Sequence, residues 1–513
     1  MSGSGAQTIS LSLVSHTNAG KTTLARTLLD RDIGTIRDQA HVTDTIDAHM
    51  LAETAEGDRL LLWDTPGFGD SIRLARRLEQ ADGALGWLRN QVWDRVTERA
   101  LWSSQQSLQH VREQSDLVLY LINASEVPED ITYLDAEMRI LAWTQKPIIV
   151  LLNQLGSPQP AEQEAAEIGR WRAHLAGYPL VRSVLALDAF ARCWVQEDHL
   201  LAAMVDALDA ARQPSALRLR HARLAVHRSR FSRASRLLAD NLAATAVDRV
   251  VLEGGGTLQT LRDIGGMVGL PMKALRDARD EAMVTLAQRW DGGLRRTTSA
   301  LLELHSLAGQ ASIEIITRVA GHFTVNEQFS EGKAAVVGGV ATGALAGLKA
   351  DLATGGLTLG GGMLAGGILG ALGAAGLARG INLFRGVRGI TIEWSRPVLM
   401  GKVQTLALTY LAVAHFGRGR GQWVRGEYPP HWGTIVEQAL QRHRQAFEQV
   451  LVRGRRYEES ETVDQGSPDD VRAKARGSLT GPLASAFTTL LDDILMHLYP
   501  PVSTAATTQE KAP

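Results

Sequence analysis

The sequence predicts an α/β domain over residues 1–210, built on a doubly wound, mostly parallel sheet, and then a mostly α-helical region that carries a glycine-rich apolar hairpin. Three observations predict this. Short apolar runs bounded by breakers alternate with helical stretches up to about residue 210, which implies parallel strands with helices on both faces. Beyond 210 the strand signals stop and helical periodicity takes over. Of the 50 glycines, 14 fall between Ala334 and Ala378, a density that ordinary turns do not require.

The strand candidates are Thr8–Ser15, Asp58–Trp63, Asp116–Asn123, Pro147–Asn153 and Val181–Leu187, with a further strand near Ile46–Leu51. Lys21–Asp30 and Ile131–Trp143 are the clearest helices between them. Residues 211–333 read as helices broken at Gly254-Gly255-Gly256, Gly265-Gly266 and Gly292-Gly293. The tract 334–378 follows, and then a helical region over 379–500 with helices at Val398–Ala414, His431–Val452 and Leu483–Leu498. Arg453–Arg476 reads as a charged linker, and 501–513 as a disordered tail.

Composition narrows the function. Apolar residues at 45% and charged ones at 21% exclude wholesale disorder. Lysine plus arginine (54) nearly cancels aspartate plus glutamate (55), so any anion-binding surface must be local, and nucleic acid is not an expected partner. The single cysteine, Cys193, excludes a disulfide framework and a cysteine-clustered metal site, and fits a reducing cytoplasm. The first residues lack the basic-then-apolar pattern of a signal peptide.

The strongest chemical signal is Ser15-His16-Thr17-Asn18-Ala19-Gly20-Lys21-Thr22-Thr23, placed between a strand and a helix as a P-loop must be. Backbone N–H groups at Ala19 and Gly20 and the helix N-terminus would surround a β-phosphate. Lys21 would reach the β/γ-phosphates, Thr22 would ligate Mg²⁺, and Thr23 would touch the α-phosphate. Ser15 stands where the pattern has glycine. Further along, Trp63-Asp64-Thr65-Pro66-Gly67-Phe68 supplies an acid, Asp64, to hold Mg²⁺ through water, and a Gly67 N–H to sense the γ-phosphate. Thr43 or Thr45 could complete the Mg²⁺ shell; Thr43 leaves room before the next strand.

These motifs, with the strand-ending Asn153, resemble the Era-like branch of the translation-factor-related GTPases. More narrowly, His-Thr-Asn-x-Gly-Lys-Thr, Leu-Leu-Asn and the later Gly-Gly-Leu-Thr-Leu-Gly resemble a bacterial family that pairs such a domain with a C-terminal domain of unknown function. The resemblance implies GTP and GDP as ligands with Mg²⁺, and Asn153 on the base. Its class reads guanine with Asn-Lys-x-Asp, whereas this chain has Asn153-Gln154-Leu155-Gly156, so guanine discrimination should be weakened. Asn18 matches the asparagine that coordinates K⁺ in cation-activated members. Phe68 follows Gly67, so no glutamine there can position water, and turnover should be slow without K⁺ or a partner.

Two further stretches suggest contacts. Trp87, Trp93 and Trp102 lie in a long segment between Asp70 and Asp116 that reads as helical packing or as an effector region. From Arg212 to Arg236 there are eight arginines and no acid, which reads as a surface for anionic lipid or an acidic partner, as a solvated face, or as arginines paired with acids elsewhere in the fold. Gly339, Gly343 and Gly347, like Gly362, Gly366 and Gly370, recur every four residues, a glycine-zipper spacing that lets two helices pack closely in lipid. Lys333 precedes the tract and Arg379, Arg385, Arg388 and Arg396 follow it, which suits a hairpin with both ends cytoplasmic, although its first arm falls short of a span. The expectation is a cytoplasmic switch GTPase, peripheral or hairpin-inserted at the inner membrane, with an effector protein or self-association through the helical region. The competing expectation is a nucleotide-gated scaffold that barely hydrolyses.

Overall fold

The computed structural model describes residues 5–16, 19–29, 47–68, 71–79, 99–153, 161–187, 193–252, 271–307, 381–386, 389–415, 431–461 and 468–500. Thr43, Asn18, Trp87, Trp93, the glycine breaks at 254–256 and 265–266, the tract 334–378 and the tail 501–513 lie outside them. The chain divides into two compact units: Met1–Arg228 with Ala414–Pro429 and Tyr499–Pro513, and Ser229–Val413 with Pro430–Leu498.

The first unit is a six-stranded sheet in the order β2-β3-β1-β4-β5-β6. Its strands are β1 (Thr8–Ser15), β2 (Asp47–Glu53), β3 (Arg59–Asp64), β4 (Leu117–Asn123), β5 (Ile148–Asn153) and β6 (Val181–Ala186). Only β2 runs antiparallel to its neighbour; the other pairings are parallel. β1, β4 and β5 are buried on both faces, which is why they read as unbroken apolar runs. Their side chains divide between two cores. Leu11, Leu13, Leu119, Ile149 and Leu151 pack with Leu24 and Leu28 of α1 (Lys21–Leu29). Val14, Val118, Tyr120, Val150 and Leu152 pack on the other face with Leu74 of α2 (Ser71–Glu79), Leu108 of α3 (Arg99–Gln114), Leu141 of α4 (Leu134–Thr144) and Trp171 of α5 (Ala161–Leu175). Trp102 lies on α3. β1 is flanked by β3 on one side and β4 on the other, so the chain reverses direction of winding there. Ligands of such sheets bind at the carboxyl edge of that switch point.

The arginine-rich stretch runs into α7 (Gln213–Ala246), after α6 (Trp194–Ala207), and its first four arginines, Arg212 just ahead of the helix among them, pair with acids of the fold. Arg212 contacts Asp116 at 2.8 Å and Arg218 contacts Asp58 at 2.7 Å. Arg220 forms a two-pronged bond to Asp198, and Arg223 joins the buried Glu197 and the Leu28 carbonyl. These arginines are consumed inside the first unit, at the sheet edge opposite the carboxyl ends. The bond from Arg218 holds the Asp58 carboxyl down to about 2 against an ordinary 3.8, over the opposing effect of burial. A depressed carboxyl adds stability that is present above pH 3.8 and is lost as pH falls towards about 2. Arg218→Gln should therefore flatten the acid limb of thermal unfolding across that window; an unchanged limb would deny the bridge that part.

The second unit corrects three expectations. Strands do not stop at 210: β7 (Arg249–Leu252), β8 (Ile381–Gly386) and β9 (Gly389–Trp394) form an antiparallel sheet in the order β7-β9-β8. Arg249 stands opposite Glu393 in its register. Gly292-Gly293 does not break the helix, because α8 (Pro271–Leu304) keeps Leu286, Trp290, Leu294 and Leu301 buried along one face through it. Arg453–Arg476 is not a linker over most of its length: α10 (His431–Glu461) runs on past Val452, and α11 (Pro468–Leu498) starts well before Leu483. The two helices pack through Phe447 on Phe487, 5.1 Å between ring centroids, and through Gly454, where a Cβ would lie 2.5 Å from Leu479. α9 (Arg396–Ala414) is long and apolar enough to cross a bilayer, but most of it is buried inside this unit.

Candidate functional site

The sequence motifs meet at the carboxyl edge of β1, β3 and β5. β1 ends at the fully buried Ser15, and the chain then turns through Gly20 at φ +90°, a backbone setting that side-chain-bearing residues rarely adopt. α1 starts directly afterwards, with the Leu24 N–H donating to the Gly20 carbonyl at 3.0 Å. Lys21 Nζ donates to Ser15 Oγ at 2.9 Å, so the serine at the glycine position of the motif has a use: its hydroxyl receives the lysine. Burial pushes the Lys21 amine down, and the charges of Asp64 and Glu137 hold it up. The Lys21 ammonium is thus largely desolvated beside two carboxylates, where its attraction to an incoming phosphate is strongest.

Asp64 closes β3, and its Oδ2 accepts from Thr22 Oγ1 at 2.9 Å. A hydroxyl and a carboxylate in contact offer the hard oxygen donors that Mg²⁺ takes, with room left in its shell for phosphate and water. The following loop is tied to β1: Phe68 N–H donates to the Ser15 carbonyl at 3.0 Å and Thr65 Oγ1 to the Leu13 carbonyl at 2.5 Å. Gly67 is half-buried between these ties. Phe68 itself is buried in the second core beside Val14 and Leu74, so its side chain does not reach solvent at the site.

Asn153, fully buried at the end of β5, donates from Nδ2 to the Ala19 carbonyl at 2.9 Å. One side of that amide therefore braces the phosphate loop. Thr23 is buried on α1. The structure brings Ala19, Gly20, Lys21, Thr22, Thr23, Asp64, Gly67 and Asn153 to one edge of the sheet; Asn18 and Thr43 lie outside the described residues.

Sequence reasoning missed a brace beneath the loop. His16 Nδ1 meets Glu137 Oε1 at 2.7 Å, and Tyr120 OH donates to Glu137 Oε2 at 2.5 Å. The His16 ring stacks on Tyr133 at 4.0 Å, and Tyr133 OH donates to Glu126 at 2.7 Å. Burial pushes the Tyr120 hydroxyl well above its ordinary range, with Glu137 adding to it, so the tyrosine stays protonated as a donor. A signal was present: Leu134, Glu137, Met138 and Leu141 fall at one helical face, which puts an acid inside an apolar stripe.

Residues 10–154 match the family described as 50S ribosome-binding GTPase. No curated protein matches the chain. Similar solved structures include an Era variant from Aquifex aeolicus bound to GDP and aluminium fluoride, at 19% identity and a TM-score of 0.28, covering 39% of this chain and 57% of that one. Another is Era in complex with Mg-GDPNP and a fragment of 16S ribosomal RNA, at 17% identity and a TM-score of 0.28, covering 40% and 58%. The chain thus spans under three fifths of either structure's own length. The first unit carries a P-loop GTPase domain.

Proposed function

We propose that the GTPase domain over residues 10–154 binds guanine nucleotide with Mg²⁺, hydrolyses GTP slowly to GDP and phosphate, and works as a switch at the inner membrane. The observation that carries the nucleotide reading is the convergence of Lys21, Thr22 and Asp64 at the carboxyl edge of the central strands. Lys21 holds the β/γ-phosphates, and Thr22 with Asp64 holds the metal, which when bound supplies positive charge against the charge developing on the γ-phosphate. Thr43 is the proposed switch threonine, Gly67 the γ-phosphate contact and Asn153, at the end of β5, the base contact.

Slow turnover follows from the burial of Phe68, which leaves no side chain at that position to orient water. The same burial favours the second reading, a scaffold gated by nucleotide binding alone. Phosphate release measured in KCl and in NaCl separates them. A rate that rises with K⁺ supports hydrolysis assisted at Asn18, and a rate indistinguishable from buffer in both salts leaves the scaffold.

The membrane half of the proposal rests on the glycine spacing and basic flanks of 334–378. It expects flotation with anionic liposomes, and loss of flotation with unchanged nucleotide binding when 334–378 is deleted. A chain that never floats in any nucleotide state removes it. RNA run beside liposomes in the same assay tests the expectation that nucleic acid is not a partner.

A further inference from the structure

The second unit contains a cleft of about 570 Å³ between α7 and α8, with Arg476 of α11 at its rim. Its chemistry is uneven. Arg289 pairs with Asp248 at 2.8 Å, and Asp240 accepts from Thr480 Oγ1 at 2.9 Å, so those groups are satisfied by the fold. Arg296 and Arg476 are exposed, and among the described residues their guanidinium groups take part in no ion pair or hydrogen bond. On the floor Asn241 is 7% exposed; its Nδ2 donates to Thr297 Oγ1 at 2.9 Å, while its Oδ1 has no partner. An orphaned acceptor in a buried amide costs about 1–3 kcal/mol unless something donates to it. The groove continues on the same faces of α7 and α8 to the exposed Arg233 and Arg236.

We propose that this cleft binds a phosphate ester that also carries hydroxyl or amino donors, of the size of a pentose phosphate or mononucleotide. Guanidinium forks match phosphate oxygens with paired bonds, and two of them without carboxylate partners face one cleft. The Asn241 carbonyl oxygen then takes a hydroxyl or amine of the same ligand, which a bare inorganic anion cannot offer. The volume lies in the usual range for small-ligand sites. The arginines that pair with carboxylates, Arg212 to Arg223, sit in the first unit, whereas Arg296 on α8 and Arg476 on α11 belong to the second. The proposal does not rest on the nucleotide site, and the test keeps the two apart.

Full-length protein saturated with GDP and Mg²⁺ is titrated with ribose 5-phosphate, with inorganic pyrophosphate, and with phosphatidylglycerol vesicles against phosphatidylcholine ones. Ribose 5-phosphate should bind in the calorimeter, and the double variant Arg296→Gln/Arg476→Gln should weaken it about tenfold or more, since bonds to charged groups contribute most. Both arginines are exposed, so the unfolding midpoint should stay where it is. Asn241→Ser should erase the preference for ribose 5-phosphate over pyrophosphate; should that buried variant fail to fold, the arginine pair still decides. Vesicle binding lost in the double variant, with no soluble ligand bound, supports phosphate-ester recognition with a lipid headgroup as its source. Failure of all three probes to bind at millimolar concentration, or binding indifferent to the double variant, overturns the proposal.

Discussion

Replacing Lys21 by alanine is expected to lower affinity for GDP and GTP by about a hundredfold or more, since two charge-assisted bonds to phosphate are each worth about 1.5–3 kcal/mol. The free protein should lose little. Lys21 is 9% exposed, and burial already pushes its amine down, so removing it also removes a desolvated cation from the fold. Ser15 Oγ loses a donor but still donates to the His16 carbonyl. Two measurements separate the cases: calorimetric titration with Mg-GDP, and the unfolding midpoint with and without ligand. Wild type should gain stability as GDP is added by mass action, and the variant should not. Near-normal affinity in the variant would sink the assignment of the phosphate site, whatever its fold.

That site was legible because its chemistry is local. Ser15 to Thr23 is a continuous stretch, and Asp64 and Asn153 end strands whose apolar runs are unmistakable. The strands of the first sheet fall within a residue or two of the runs that announced them, since β1, β4 and β5 are buried on both faces. Non-local partners were not legible. The arginines of 212–236 read as a single-sign stretch in the sequence, and only the fold supplies Asp58 and Asp116 from the loops before β3 and β4, and Glu197 and Asp198 from α6. The β7-β9 pairing joins Arg249–Leu252 to a strand far along the chain; β7 is only four residues long, and Thr391 and Glu393 interrupt the apolar residues of β9, so neither stands out against the helices around it. Glycine misled twice. Gly292-Gly293 and Gly454 were read for their backbone freedom or passed over within a charged stretch, whereas tertiary packing of a buried apolar face overrides local propensity in both helices.

Lys402→Met should stabilise the second unit at neutral pH, and the gain should vanish as pH rises. Lys402 lies on α9, 4% exposed, with Nζ 3.9 Å from the ring centroids of both Trp290 and Trp394. Two effects oppose each other there. The indole faces and the charge of Asp248 favour the ammonium, at about 2 kcal/mol for each desolvated cation–π contact. Taking the ammonium out of water costs several kcal/mol, of order 5 even after relaxation. Burial outweighs the charge of Asp248 and pushes the amine well below its ordinary 10.5. A base lowered in the folded state binds its proton more weakly there than in the unfolded chain, so it destabilises most at low pH. That penalty shrinks as pH climbs from the folded value and is gone above 10.5. Methionine keeps the length and polarisability of the chain and packs against both indoles without a charge. Chemical unfolding of both proteins should therefore show the variant ahead by about 1–3 kcal/mol at neutral pH, as replacements of buried charges commonly do. The two curves should converge towards pH 10.5. A variant that is weaker at neutral pH would mean the two tryptophans hold a charged lysine and that cation–π attraction outweighs its desolvation.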